Sequence, residues 1–423
     1  MIKLLKFQGE YSAVVRKNFI INLFDGAVFA FAMGFVSLIT IMPVYVKQIG
    51  GSNIEIGLIP VIWAIGFNLP QIFIANYAAN QPFKKPLMMK TAFLQRLPWL
   101  MLAIVSLLIT WYNLSITAGL IIFFLFFFLA ALGGGINLPV WFDLFAKLTP
   151  VRIRGKQFAY RVMLGALLGI LAGWVTKIIL NNVDPGLSFP SLFFIAFLIM
   201  MISYTLLIKI IEEQPNHPKR ILKYQEFIYN LPRILRENTN YRNFLIADAF
   251  IIIAIISNAF ITVDALEKFS LSDGYAGIFT IIMMISTIVG SLFFGVLSDH
   301  IGHRFNLLLA AVFTFLACIV ALTAPSVDIY YFAFVGSALA NAILQVSRLP
   351  IISEICAEED RPTYVALSNL ITVPFTLAGI IGGYIANKLG YQPVFIICAV
   401  FSALAAGWLK FILVEPRKIL QNI

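Results

Sequence analysis

Apolar residues run along this chain in blocks of about twenty, separated by short polar turns, with no alternating ten-residue pattern. A block of that length spans the roughly 30 Å hydrocarbon core of a bilayer as one α-helix. In lipid the backbone must satisfy its own hydrogen bonds, so the blocks predict helices and exclude a β-barrel. Twelve spans are expected, at 19–46, 54–79, 87–110, 116–145, 157–180, 190–211, 243–266, 275–298, 304–323, 329–356, 364–387 and 391–412. The long polar stretch that follows the sixth opens with Gln214-Pro215-Asn216-His217-Pro218 and carries Lys219, Arg220, Lys223, Arg233 and Arg236. It divides the chain into an N-terminal unit at 1–211, a linker at 212–241 and a C-terminal unit at 242–423.

Composition agrees: 61% of residues are hydrophobic and 12% charged, with a mean hydropathy of +0.92, a balance that no water-facing surface tolerates. Lys and Arg set the orientation. Lys3, Lys6, Arg16, Lys17, Lys84, Lys85, Arg152, Arg154, Lys156, the linker cations, Arg304, Arg361, Arg417 and Lys418 fall on one side, and Lys47, Lys177, Lys268 and Lys388 on the other. Both termini and the linker are therefore expected in the cytoplasm, with the chain in the inner (cytoplasmic) cell membrane. The net charge of +10 is a topology signal and predicts no nucleic-acid partner. The first span is preceded by no small-residue cleavage site, so no removable signal peptide is expected. Residues 1–17 read as a solvated tail or a short amphipathic piece lying on the membrane. Cys318, Cys356 and Cys398 sit in or at the ends of apolar spans as small hydrophobes. Neither they nor His217, His300 and His303 have the spacing of metal ligands, and no cofactor is expected. No triad or paired carboxylates converge outside lipid, so the chain does not read as an enzyme.

The two halves repeat. Asn137-Leu138-Pro139 followed by Asp143 and Ala146 matches Arg348-Leu349-Pro350 followed by Glu354 and Ala357 at identical spacing. The loop after span one runs to Gly57 as the loop after span seven runs to Gly277, and Asn18-Phe19 with Asp25 parallels Asn243-Phe244 with Asp248. Matches in this order predict duplication of a six-helix unit. The fold class is therefore an all-α membrane protein of twelve transmembrane helices in two pseudo-symmetric six-helix bundles.

Between spans eight and nine lies Gly295-Val296-Leu297-Ser298-Asp299-His300-Ile301-Gly302-His303-Arg304. This segment resembles the loop signature G-x-L-x-D-x-x-G-[RKH]-[RK] of the major facilitator superfamily. The copy in the first half, from Asn76 to Lys85, keeps Lys84 and Lys85 but has Asn80 where the acid belongs. Leu97-Pro98-Trp99 and Arg361-Pro362-Thr363-Tyr364-Val365 also look like a bacterial branch of that superfamily without assigned substrates. The resemblance implies two bundles around a central cavity lined by spans one, four, seven and ten. It also implies a cytoplasmic gate of Gly295, Asp299, Gly302, Arg304, Glu354, Lys84, Lys85 and Asp143. Asp299 would face the start of span five near Gly155-Lys156, Arg304 would pair with Glu354, and Lys84 or Lys85 would serve Asp143. On physical grounds Gly295 allows close helix approach and Gly302 a tight reversal. The Gly-Pro of antiporter-type fifth spans is absent. Gly165, Gly169 and Gly173, with Gly379 and Gly383, form small-residue stripes suited to packing between bundles.

Ionisable groups inside spans cost about 2.5–3.5 kcal/mol at the bilayer centre and need a reason. Asp25, Arg96, Asp143, Arg161, Asp248, Arg348 and Glu354 are such groups, and Asp25, Asp248 and Arg348 fall in the cytoplasmic third. Arg348 and Asp248 lie at equal depth with opposite sign, which favours pairing; an anionic substrate, or another acid such as Asp25, is the alternative partner. Asn68, Gln71, Ser257, Asn258, Asn341, Gln345, Thr372 and Thr376 are the uncharged polar candidates for a substrate cavity. The resulting expectation is a monomeric secondary active transporter working by alternating access on a small molecule, with protons as the candidate coupling ion and uncoupled transport as the alternative. A proton-coupled exporter of amphipathic compounds leads, followed by a symporter or uniporter for an organic anion or sugar. A non-transporting membrane protein, a scramblase or an assembly partner, is the reading from another class.

Overall fold

The computed structural model describes residues 11–213, 233–356 and 361–417; the linker expectation, and that for the first ten residues, fall mainly outside them. The first bundle comprises α1 (Ala13–Gly34), α2 (Met42–Gln48), α3 (Asn53–Ala79), α4 (Lys85–Trp111), α5 (Ile116–Leu148), α6 (Val151–Asn182) and α7 (Pro185–Ile208). The second comprises α8 (Thr239–Ala254), α9 (Ser257–Lys268), α10 (Tyr275–Ile301), α11 (His303–Thr323), α12 (Val327–Ile355), α13 (Arg361–Thr372), α14 (Ala378–Leu389) and α15 (Tyr391–Phe411). Among the described residues eleven segments are long and apolar enough to cross a membrane, counting α8–α9 and α13–α14 as one each. The α1–α2 pair occupies the place of the twelfth.

Helix starts follow local chemistry. Ser52 and Glu55 form a reciprocal capping box at the head of α3, Ser115 caps α5, and Asp184 caps α7 with proline at its first position, each satisfying an amide that the helix leaves open. Gly302, at φ +103°, reverses the chain in a single residue between α10 and α11.

Span one departs from the expected unbroken helix over 19–46. The helix stops at Gly34 and restarts at Met42. Pro43 has no N–H to donate to Ile39 four residues back, so that carbonyl is released. It is taken by the Thr262 hydroxyl of the other bundle at 2.7 Å. Thr40, held in a turn by the Ser37 side chain, bonds Thr280 across the same interface at 2.6 Å. Span seven breaks between α8 and α9, and span eleven passes through a 3-10 turn at Val373–Leu377 that contains Pro374.

Small residues bring the bundles together. A Cβ on Gly57 would lie 2.0 Å from the Gly379 carbonyl, and one on Gly277 2.4 Å from the Gly173 carbonyl. The α3–α14 and α10–α6 crossings are thus related by the internal repeat. Gly169 faces Met284 and Gly383 faces Asn53, also between bundles, whereas Gly165 packs on Ala30 within its own. The Gly133-Gly134-Gly135 run admits α3 and α4 against α5. Lys47–Glu267 at 2.6 Å and Tyr391–Asn53 at 2.9 Å add polar links between the bundles. All these links lie toward the end of the molecule opposite the termini.

Candidate functional site

Two charged centres, one per bundle, lie inside the spans. In the second, Arg348 on α12 donates from Nε to both oxygens of Asp248 at 3.0 Å each and from Nη2 to Oδ2 at 2.8 Å. Its Nη1 reaches Asn369 at 3.1 Å and its Nη2 Thr372 at 3.3 Å. A planar guanidinium presents five donors in a fork that matches a carboxylate, and four of them are engaged here. The pair opens on a cavity of about 170 Å3 whose wall includes Asn68 of the other bundle.

The first bundle builds its centre differently. Asp25 on α1 accepts from the Ser203 hydroxyl at 2.6 Å. Arg96 on α4 is spent on the Met200 and Ala92 carbonyls and on Ser203, all at 2.8 Å. The cation facing the second Asp25 oxygen is Arg161, on α6, at 3.6 Å. It stacks 4.3 Å above the Trp141 ring and crosses α1 at Gly26, where a Cβ would overlap its side chain. Asp25, Arg96, Arg161 and Trp141 line a cavity of about 160 Å3. At the repeat position of Arg348 this bundle carries Asn137, which bonds Gln95 and Thr91. The cation has moved to another helix between the two halves.

At the terminal end the expected gate residues form clusters closed within each bundle. Fully buried Lys84 pairs with Asp143 at 2.8 Å, while Lys85 donates to the carbonyls of Ile208 and Ile210, both at 2.8 Å. Arg304 occupies the position equivalent to Lys85 and caps the end of α15 through the Leu409 and Lys410 carbonyls. The expected Arg304–Glu354 pair is therefore corrected, because a helix C-terminus offers the cation unpaired carbonyls within its reach. Glu354 is held by Arg417 at 2.8 Å and faces His303 at 3.7 Å. Asp299 does not meet the start of α6: it is exposed and contributes its backbone carbonyl to Arg417. A Cβ on Gly295 would touch nothing within 4 Å, against the expected close approach, whereas one on Gly302 would strike the Glu415 carboxylate at 2.5 Å.

Residues 243–422 match the sequence model of the Major Facilitator Superfamily. No curated protein matches the chain. Solved structures match it nearly end to end. A mutant of the nucleoside transporter NupG is 14% identical, with a TM-score of 0.69 over 94% of this chain and 98% of its own. A D-xylose-proton symporter is 15% identical, with a TM-score of 0.69 over 96% and 99%. A POT family transporter in complex with a thioalcohol-conjugated peptide is 13% identical, with a TM-score of 0.72 over 95% and 96%. The chain therefore has the fold of these transporters, and its second half carries the sequence pattern of the superfamily.

Within this fold most of the uncharged polar candidates serve their own helices. The side-chain amides of Asn68, Gln71 and Asn341 donate to the carbonyls of Ala64, Phe67 and Ser337. Asn258 accepts from Ser337, Gln345 is exposed, and Thr372 joins the Arg348 centre. Sequence reasoning missed Glu212 and Glu415. Glu212 receives the backbone amides of Lys84 and Lys85 and the Lys147 ammonium at 2.6–2.9 Å. Glu415, beside Gly302, takes the same place in the second bundle. Both acids stand just past the last span of their half, a signal that a comparison of the repeats would have found. Asn369, Ser203, Gln95 and Trp141 were also missed, since nothing in a single sequence distinguishes them from ordinary span residues.

Proposed function

We propose that the protein is a secondary transporter that moves a small molecule by rocking its two bundles about the space between the Asp25–Arg161 and Asp248–Arg348 centres. The observation supporting this reading most is the distribution of contacts. The glycine crossings and the Thr40–Thr280, Thr262–Ile39 and Lys47–Glu267 bonds join the bundles toward one end. At the other end the Lys84–Asp143 and Arg417–Glu354 clusters hold each bundle as a unit. Two rigid bodies joined at one end are the ground plan for alternating access.

With the termini in the cytoplasm, as the Lys and Arg distribution favours, this conformation is closed toward the outside. Asp25 and Asp248 are the buried carboxylates on the cavities, and proton exchange at one of them would supply coupling. Spin labels at Lys177 and Asp273 on the far end, and at Phe83 and His300 on the terminal end, test the reading. The far-end distance should lengthen as the terminal-end distance shortens when a pH gradient is imposed across vesicles. Distances that stay fixed at both ends during substrate flux would overturn it.

A further inference from the structure

The N-terminal cavity has an excess of hydrogen-bond donors and of positive charge. Arg161 makes only long polar contacts among the described residues, 3.6 Å to Asp25 and 3.5 Å to the Asn22 carbonyl, beyond the usual N–H···O range. Arg96, by contrast, makes three bonds at 2.8 Å. The Arg161 guanidinium carbon lies 4.3 Å from the centroid of the Trp141 ring, a cation–π contact that uses none of its N–H donors.

Two further residues with open donors, Trp141 and Gln95, line the same cavity. The Trp141 indole N–H belongs to a side chain only 9% exposed and has no partner among the described residues. The amide chain runs in one direction, from the Thr91 hydroxyl to Asn137 and from Asn137 to the Gln95 carbonyl, which leaves the Gln95 NH2 as a terminal donor. On the acceptor side stands one carboxylate, Asp25, already bonded to Ser203. Asp25 also faces two guanidiniums, so the centre carries one uncompensated positive charge. The C-terminal centre, with one acid and one base in bidentate contact, carries none.

We infer that Arg161, flanked by Trp141 and Gln95, is the receptor for the carboxylate of a small organic acid whose apolar body lies against Phe29, Phe67 and Leu138. This rests on the transporter reading and names its substrate class. It also moves the anion contact from Arg348, whose carboxylate-binding edge is already held by Asp248, to the other bundle. Asp25 competes with the ligand for Arg161, so neutralising Asp25 strengthens binding.

The probe is benzoate, with neutral benzamide as its isostere, in melting experiments on the purified protein in phosphatidylcholine nanodiscs. Benzoate raises the melting temperature and benzamide does not. Arg161→Gln abolishes the shift, Arg161→Lys retains a weaker one because a point charge replaces the fork, and Asp25→Asn lowers the apparent Kd about tenfold. No benzoate shift up to about 10 mM, an equal response to benzamide, or a shift retained in Arg161→Gln would overturn the assignment. Should Arg161→Gln fail to fold, an unchanged Kd in Asp25→Asn overturns it. Stabilisation by phosphatidylglycerol in the nanodisc with none by benzoate would assign the site to a lipid headgroup and reject the small acid. Benzoate binding without flux of any acid would sink the transporter reading and leave the site standing; flux without binding at Arg161 would do the reverse.

Discussion

Asp248 on α8 and Arg348 on α12 hold each other in a bidentate pair that ties spans seven and ten together within the membrane, with the carboxylate 2% exposed and the guanidinium 22%. Removing one partner leaves the other charge largely buried and uncompensated, at a cost of about 3–5 kcal/mol. Arg348→Ala is therefore expected to lower expression and melting temperature strongly, and Asp248→Ala combined with it to recover a large part of the loss. Thermal melting of the single and double variants checks this. A double variant no more stable than Arg348→Ala would show that the pair is not what holds these helices.

Gly26 lies beneath the Arg161 side chain, and a Cβ there would come within 1.8 Å of Nε. Because the obstructed atoms belong to a flexible side chain and not to backbone, Gly26→Ala is expected to displace the guanidinium at a stability cost near the low end of the ~1–3 kcal/mol typical of overpacking. The functional effect should be larger: a raised KM with maximal flux less affected, measured as concentration-dependent uptake into vesicles. An unchanged KM would mean that the position of Arg161 does not matter to the substrate.

What the sequence revealed and what it hid divide along physical lines. The spans were legible because lipid demands about twenty apolar residues in a row. The Asp248–Arg348 pair was legible because depth along two helices can be counted. The break in span one was not, since hydrophobicity continues through Phe35–Ile41 and only Pro43 marks it. The Asp25–Arg161 contact was hidden by the repeat itself, which pointed to Asn137 as the counterpart of Arg348, whereas the cation stands on α6. Arg304 was paired with Glu354 on what the superfamily resemblance implies, but the end of α15 reaches it first, a proximity that only tertiary packing creates. Gly302 was readable because a reversal of one residue needs positive φ.

Closure of the far end depends on bare backbone at Gly57 and Gly379, where α3 and α14 cross at carbonyl distance. A methyl group at Gly57 meets backbone, which cannot swing aside. Gly57→Ala is expected to disfavour the closed far end and populate the opposite conformation, because a cost of 1.4 kcal/mol is already tenfold in a two-state ratio. Gly277→Ala, at the symmetric α10–α6 crossing, should act in the same direction. Spin-label distances between Lys177 and Asp273 provide the check, and populations unchanged in both variants would remove these crossings from the closing mechanism.

Glu415 lies beyond the last span, against Gly302, with one carboxylate oxygen buried and unbonded among the described residues. Burial, and next the charge of Glu354, push its carboxyl above the ordinary value of 4.5, with the Arg304 amide, Arg417 and Arg304 opposing. The folded state therefore holds a proton that the unfolded chain has already released, and in that window stability falls as pH rises. The contribution is fully present below the unfolded value and is lost as pH climbs through the raised folded value. Glu415→Gln keeps the shape and removes the titration. Both proteins should melt alike at acidic pH near the ordinary carboxylate value, and the variant should become the more stable of the two as pH rises toward neutrality. Melting curves of the pair across that interval decide the matter: a difference that is constant with pH would mean that Glu415 carries the same charge in the folded and unfolded chains, and that the reversal at Gly302 is not sensitive to it.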